Sequence, residues 1–361
     1  MLNSTPKNDG FWMPGEFEEQ EKCYMLWPER GDIWHHNAEN AQRTFAEVAN
    51  AIGRFQEIVV GVSKEYYDKA ITLLDKNVQV VKMSHDDSWA RDVGPTFVKN
   101  DKDEVRGVDW KFNAWGGLAG GLYSSWDNDD KVAKEILEYS GKERYRTENF
   151  ILEGGSIHVD GEGTLLTTKQ CLLNKNRNPD LTQRQIENYL IEYLNVEKII
   201  WLEEGLFNDE TDGHIDNICC FARPGEVILS WTDDEKSPNY KICRDAYEVL
   251  TKEKDAKGRS LVVHKLILPQ PIYFTNEEKE GLVHLEGTRE IELDDPLPAS
   301  YVNFLICNKA IIMPVFNDEK DELATKTLEK IFPEREIVPV YSREIILGGG
   351  NIHCITQQQP K

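Results

Sequence analysis

The chain has 361 residues, with 64 Asp and Glu against 42 Lys and Arg and a formal net charge of −22. That balance repels polyanions, making nucleic acid and acidic membrane surfaces poor partners, and draws in small cations, although an acidic surface also serves solubility alone. Seven cysteines, an odd number without small-domain spacing, make no disulfide framework, and neither a signal-peptide pattern nor an apolar run near the ~18 residues of a membrane span occurs, so a cytoplasmic protein with reduced thiols is expected.

Phe45, Val48, Ala49, Ile52 and Phe55 recur at three- and four-residue steps, which predicts an amphipathic helix over 37–55. A strand at 58–62, a helix at 64–75 and an apolar run at 78–83 follow. Residues 157–159 and 164–168 flank Asp160-Gly161-Glu162-Gly163 and read as a hairpin. Thr182-Gln183-Arg184-Gln185 has the form of a capping box ahead of Ile186, Tyr189, Leu190, Tyr193 and Leu194 on one helical face, and 198–202 reads as a buried strand. Two more strand pairs are predicted at 217–222 with 226–231 and at 302–307 with 310–316, then a helix through 323–332 and a strand at 336–340. Strand pairs joined through helices therefore repeat, and no Pro-, Gly- or Ser-rich linker divides the chain. A single α/β domain over 1–361 is expected.

The repeat has a sequence echo. Gly154-Gly155-Ser156-Ile157-His158-Val159 parallels Gly349-Gly350-Asn351-Ile352-His353-Cys354, and Gly213-His214-Ile215-Asp216 and Arg91-Asp92-Val93-Gly94-Pro95 enter strands in a similar way. Asp92, Glu153 and His214 are evenly spaced, as equivalent positions of successive modules would be.

Three glycines, Gly348 to Gly350, precede Cys354. They permit close approach of a substrate to the thiol and leave backbone N–H groups nearby, whereas Cys171, Cys219, Cys220, Cys243 and Cys307 sit in or near apolar runs and read as small buried hydrophobes. His214 and Asp216, two apart on an expected strand, share one face. A His beside a Cys manages protons in thiol catalysis and a carboxylate holds a cation. A solvated surface pair and a metal-ligand pair are the competing readings, the second weakened because no HExxH, CxxC or DxHxD array completes a ligand set. Glu153, ahead of an apolar strand, and Asp92 are each consistent with loop carboxylates or partners of an Arg. Together with Cys and His they would suit a planar guanidinium, which presents paired donors to carboxylates.

The segments Met13 to Glu18, Trp89 to Pro95, Phe112 to Gly117, Leu152 to His158, Thr211 to Asp216 and Gly348 to Gln358 resemble, in order and over nearly the whole chain, the signatures of the agmatine deiminases. The resemblance implies the pentein fold, a five-module ββαβ α/β propeller with pseudo-fivefold symmetry around a polar channel, as one catalytic domain. It also implies hydrolysis of the small cation agmatine to N-carbamoylputrescine and ammonia through a covalent thiouronium on cysteine, with neither metal nor organic cofactor. Matched motif by motif, Cys354 is the nucleophile, His214 moves protons, Glu153 is its acidic partner, and Asp92 and Asp216 bind the guanidinium. Trp89, Asp9 and Glu210 are further expected substrate contacts. Another guanidine hydrolase acting on arginine or peptidyl arginine, a non-catalytic polyamine-binding protein and a metal-dependent ureohydrolase are the alternatives, and association into a homo-oligomer is left open.

Overall fold

The computed structural model describes residues 1–281 and 294–361. Among them, sixteen strands fall into five sheets. The chain starts with β1 (Gln20–Leu26), β2 (Glu57–Val62) and β3 (Gln79–Lys82), paired in parallel. Four sheets of one pattern follow: β4 (Thr96–Lys99), β5 (Val105–Lys111) and β6 (Glu143–Ile151); β7 (His158–Val159), β8 (Thr164–Thr168) and β9 (Lys198–Leu202); β10 (Cys219–Arg223), β11 (Glu226–Trp231) and β12 (Val262–Ile267); β13 (Leu305–Ile306), β14 (Ala310–Val315) and β15 (Glu336–Tyr341). In each, the first two strands are antiparallel and the third joins the second in parallel. The last strand, β16 (Thr356–Pro360), pairs antiparallel with β1, so the first sheet takes the same pattern using both ends of the chain.

A parallel third strand cannot be reached by a tight turn. Helices Asp129–Ser140, Gln183–Leu194, Asn239–Lys252 and Asp321–Ile331 supply the crossovers, and Glu39–Ile52 does so between β1 and β2. The Gln183–Leu194 helix shows why these residues choose that form. Thr182 and Gln185 close the capping box reciprocally, Ile186, Leu190 and Leu194 bury one stripe, and Asn195 ends the helix in the left-handed region. The helix predicted over 37–55 is shorter because His36, Asn37 and Ala38, with φ of 53°, 54° and 64°, do not follow a helical path.

Apolar side chains gather in four clusters where helices cover sheets. The place where the sheets meet is polar instead. Each sheet's first strand is preceded by a short turn, at Ala90–Val93, Gly154–Ser156, Ile215–Ile218, 300–303 and 352–355. The turns hydrogen-bond into a ring: Cys354 to Arg91 (3.1 Å), Asp92 to Gly155 (2.9 Å), Asn217 to Asn303 (2.9 Å) and Asn303 to His353 (3.1 Å between backbone atoms). Between the second and third turns, Glu153 faces His214 at 3.9 Å. The strand expected to carry both His214 and Asp216 is thereby corrected. Gly213 takes a φ of 83°, Ile215–Ile218 makes one helical turn, and β10 starts only at Cys219, so the turn, not strand alternation, aims the two side chains. Among the described residues no helix is long and apolar enough to cross a membrane.

Candidate active site

Cys354 lies within the turn 352–355, two residues before β16, with 6% of its surface exposed. Its Sγ receives the Asn303 side-chain amide at 3.1 Å and lies 3.5 Å from Asp216 Oδ2. Burial, then the Asp216 and Asp92 carboxylates, push the thiol well above its ordinary range. The glycines ahead of it are demanded by close contacts. A Cβ on Gly348 would lie 2.5 Å from the Trp34 ring, one on Gly350 2.5 Å from the Trp89 ring, and one on Gly349, whose φ is 98°, 2.8 Å from the Glu210 carboxylate.

Two carboxylates flank the thiol. Asp92 is held by the Gly155 N–H and the Trp115 indole, each at 2.9 Å, and burial raises its carboxyl to about 6. Asp216 Oδ2 bonds His353 Nδ1 at 2.8 Å, while Oδ1 is buried with no hydrogen-bond partner among the described residues. Burial opposes its ionisation, but His353 holds the group below the usual carboxylate range.

His214 stands between Asp92, 3.8 Å from Nδ1, and Glu153, 3.9 Å from Nε2. Burial alone would favour neutral imidazole; Asp92, Cys171 and Glu153 overcome it and raise the group well above its ordinary value, so the resting ring is charged. Glu153 is fully buried, yet Arg177, bonded to its Oε1 at 2.8 Å, and His214 bring it down to about 2. The other end of the Arg177 guanidinium bonds the Thr211 carbonyl at 2.8 Å and the Asp212 carboxylate, tying Glu153 to the loop that carries His214. Only glycine fits at 155. A Cβ there would sit 2.6 Å from His214 Nδ1, 2.9 Å from Asp92 Oδ1 and 3.0 Å from Asp216 Oδ2.

Above this floor opens a cavity of about 320 Å³, partly continuous with solvent, whose walls include Trp89, Asp92, Trp115, Leu122, Glu210, Thr211, the three glycines and Cys354. Asp87 anchors the Trp89 indole at 2.7 Å.

The structure thus brings Cys354, His214, Glu153, Asp92 and Asp216 together, and places Trp89 and Glu210 on the cavity wall. Asp9 is the exception. It bonds Arg106 (2.9 Å) and Tyr145 (2.7 Å), and Arg106 pairs with Val98, toward the end of β4 away from Asp92. Asp9 therefore does not line the described cavity in this chain, because a guanidinium of the protein itself already occupies its carboxylate.

Sequence reasoning missed Arg177, Asn303, Trp115 and His353. A buried carboxylate at 153 called for a counter-ion, and His353 adjoins the nucleophile; Asn303, a polar residue in the run 301–306, was the remaining signal. Among the described residues, two buried groups carry metal-type donors within 4.8 Å of one another, Glu16 with His158 and His353, and Glu153 with Cys171 and His214. In the first, both His353 nitrogens bond carboxylates at 2.8 Å and Arg91 lies 3.9 Å from Glu16, so a protein cation already supplies positive charge there.

The chain can now be set beside known proteins. A family model for Porphyromonas-type peptidyl-arginine deiminases matches residues 12–360. An agmatine deiminase of Pseudomonas aeruginosa (strain LESB58) is 58% identical over 358 residues, 99% of this chain and 97% of that protein. The solved structure of agmatine deiminase of Enterococcus faecalis superposes with a TM-score of 0.98 at 49% identity, covering 100% of this chain and 99% of that one. An agmatine deiminase variant of C. jejuni with substrate bound superposes with a TM-score of 0.84 at 29% identity, covering 97% and 96%. With nearly full-length agreement in sequence and in fold, the chain belongs to the Porphyromonas-type peptidyl-arginine deiminase family.

Proposed function

We infer that the chain hydrolyses agmatine to N-carbamoylputrescine and ammonia, acting as one catalytic domain in which the five sheets are ββαβ modules of a pentein propeller with pseudo-fivefold symmetry. One observation carries the reading most: the buried Cys354 thiol and the Asp92 carboxylate line a cavity whose described walls carry acidic but no basic side chains, with Asp216 against the sulfur at 3.5 Å and His214 3.8 Å from Asp92.

The guanidinium lies between Asp92 and Asp216, filling the unmet Asp216 Oδ1 acceptor. Its charge offsets the two carboxylates that keep the Cys354 thiol protonated, so substrate binding favours the thiolate, the thiol proton passing to solvent through the open cavity. The thiolate attacks the guanidinium carbon, a C–S bond forms, and charged His214, oriented by Glu153, gives its proton to the nitrogen that leaves as ammonia. The S-alkylthiouronium that remains is attacked by water, with neutral His214 taking a proton. Collapse breaks the C–S bond, restores the thiolate and releases the urea product. Of the two protons water supplies, one recharges His214 and the other leaves with ammonia as ammonium. No step needs an electron donor or acceptor.

Trp89 packs against the substrate's methylenes and Glu210 receives its terminal ammonium. Arginine differs by an α-carboxylate, which would meet that acidic wall and be repelled. Incubating purified protein with agmatine and with arginine, then measuring ammonia with carbamoylputrescine or citrulline, tests the reading. Agmatine turnover well ahead of arginine is expected, and preferential citrulline production overturns the substrate assignment.

A further inference from the structure

Asn303 lies in the turn before β13, the one turn of the ring to which no reactive group has yet been assigned, and it is fully buried. Its amide touches the reacting sulfur, and its orientation is determined from both ends. At one end, Oδ1 receives the backbone N–H of His353 at 3.0 Å and of Cys354 at 3.4 Å. Backbone N–H groups only donate, so the atom facing them is the oxygen. At the other end stands Asp209, 8% exposed, whose oxygens take the backbone N–H of Thr211 (3.0 Å) and of His214 (3.1 Å). Asp209 Oδ2 also receives the Asn217 side-chain amide at 3.0 Å. Asn217 must then turn its oxygen outward, where it accepts from Asn303 Nδ2 at 2.9 Å. The second hydrogen of Nδ2 has Cys354 Sγ as its nearer acceptor at 3.1 Å, with the Asp216 carbonyl at 3.4 Å, and Sγ also lies 3.5 Å from Asn303 Oδ1.

We propose that Asn303 is a catalytic residue that donates a hydrogen bond to the Cys354 thiolate, and that Asp209, acting through Asn217, is a positioning residue holding that amide with its donor toward the sulfur. The proposal rests on the thiol mechanism above and deepens it. The charged groups nearest the sulfur are the carboxylates of Asp216 and Asp92, with His353 behind Asp216, His214 between Asp92 and Glu153, and Glu210 on the cavity wall. The carboxylates repel a thiolate, and the amide hydrogen offsets them from a neutral group that cannot capture the substrate's charge. The same amide oxygen clamps the 353–354 backbone, which places Sγ.

Asn303→Asp separates the two tasks, since one oxygen still accepts both backbone N–H groups while the other faces sulfur as an acceptor. Iodoacetamide alkylation of Cys354, mapped by mass spectrometry and followed against pH without agmatine, reads the thiolate directly. The midpoint should rise by about one pH unit or more, roughly tenfold or more in rate at fixed pH below it, with kcat reduced and KM for agmatine little changed. Asp209→Asn, which no longer dictates the Asn217 orientation, should move the midpoint the same way by less, and serves alone if Asn303→Asp does not fold. Unchanged midpoints in the folded variants overturn the proposal. Failure of the parent reading looks different: wild-type protein that leaves agmatine untouched while the variants still shift alkylation removes the substrate and keeps the donor.

Discussion

The polar hub and the apolar clusters around it solve burial in opposite ways. In the clusters, side chains such as Ile186, Leu190 and Leu194 fill the space between helix and sheet and need no partner but each other. In the hub, a buried polar group is partnered through one atom while another is left without a hydrogen bond. Glu153 Oε1 has Arg177 and Asp216 Oδ2 has His353, whereas among the described residues Asp216 Oδ1 has no hydrogen-bond partner, and Glu153 Oε2 and His214 Nε2 face each other at 3.9 Å without one. Such atoms cost stability in the resting protein, and the clusters supply the stability that lets the hub keep them. Reactivity and stability should therefore be separable by mutation.

The largest separation is expected at the nucleophile. Cys354→Ser should abolish ammonia release from agmatine while the melting temperature stays near wild type, because the alcohol remains protonated and the buried volume hardly changes. Residual turnover after contamination is excluded would remove Cys354 from the reaction.

Glu153→Gln should lower kcat by ~10²–10⁴, the size of a lost acid–base contribution, and should also carry a pH signature in stability. Because the folded carboxyl lies near 2 against an ordinary 4.5, its ionisation stabilises the fold fully above about 4.5 and that contribution fades as pH falls toward 2. Wild type should accordingly outlast the Gln variant in thermal melts near neutrality, with the gap narrowing through that window. A gap independent of pH would mean that the charge of Glu153 does not act as described.

Leu190→Ala attacks the clusters instead. It should cost about 2–5 kcal/mol in chemical denaturation, from lost burial plus the cavity left behind, with kcat on agmatine unchanged in the protein that remains folded. A large fall in kcat would show that hub and clusters are coupled more tightly than the comparison allows.

The smallest effect belongs to the cavity wall. Glu210→Gln should weaken kcat/KM for agmatine by about tenfold and narrow its lead over arginine, with Cys354 alkylation unaltered. Equal kcat/KM values in variant and wild type would place the terminal ammonium elsewhere.

Local pattern was legible where one stretch of chain carries its own reason for its shape. The capping box at Thr182 and Gln185, the helical stripe after it and the hairpin around 160–163 are found as predicted. The helices Asp129–Ser140 and Asn239–Lys252 and the strands β5 and β6 were not anticipated, and their helix-to-sheet packing is long-range. The motifs around residues 92, 153, 214, 216 and 354 named five side chains that the structure gathers in one place, and also named Asp9, which Arg106 holds elsewhere.

By itself, then, the sequence determined the acidic balance, the periodic helices and the ordered motifs that give membership of the family, because each is written in neighbouring residues. Only the tertiary structure decided which groups answer one another across the hub. Glu153 meets Arg177, Asp216 meets His353, and Asp209 turns Asn217 and so Asn303 toward the sulfur, because partners distant in the chain are brought within hydrogen-bond reach by the closing of the sheets around the buried turns.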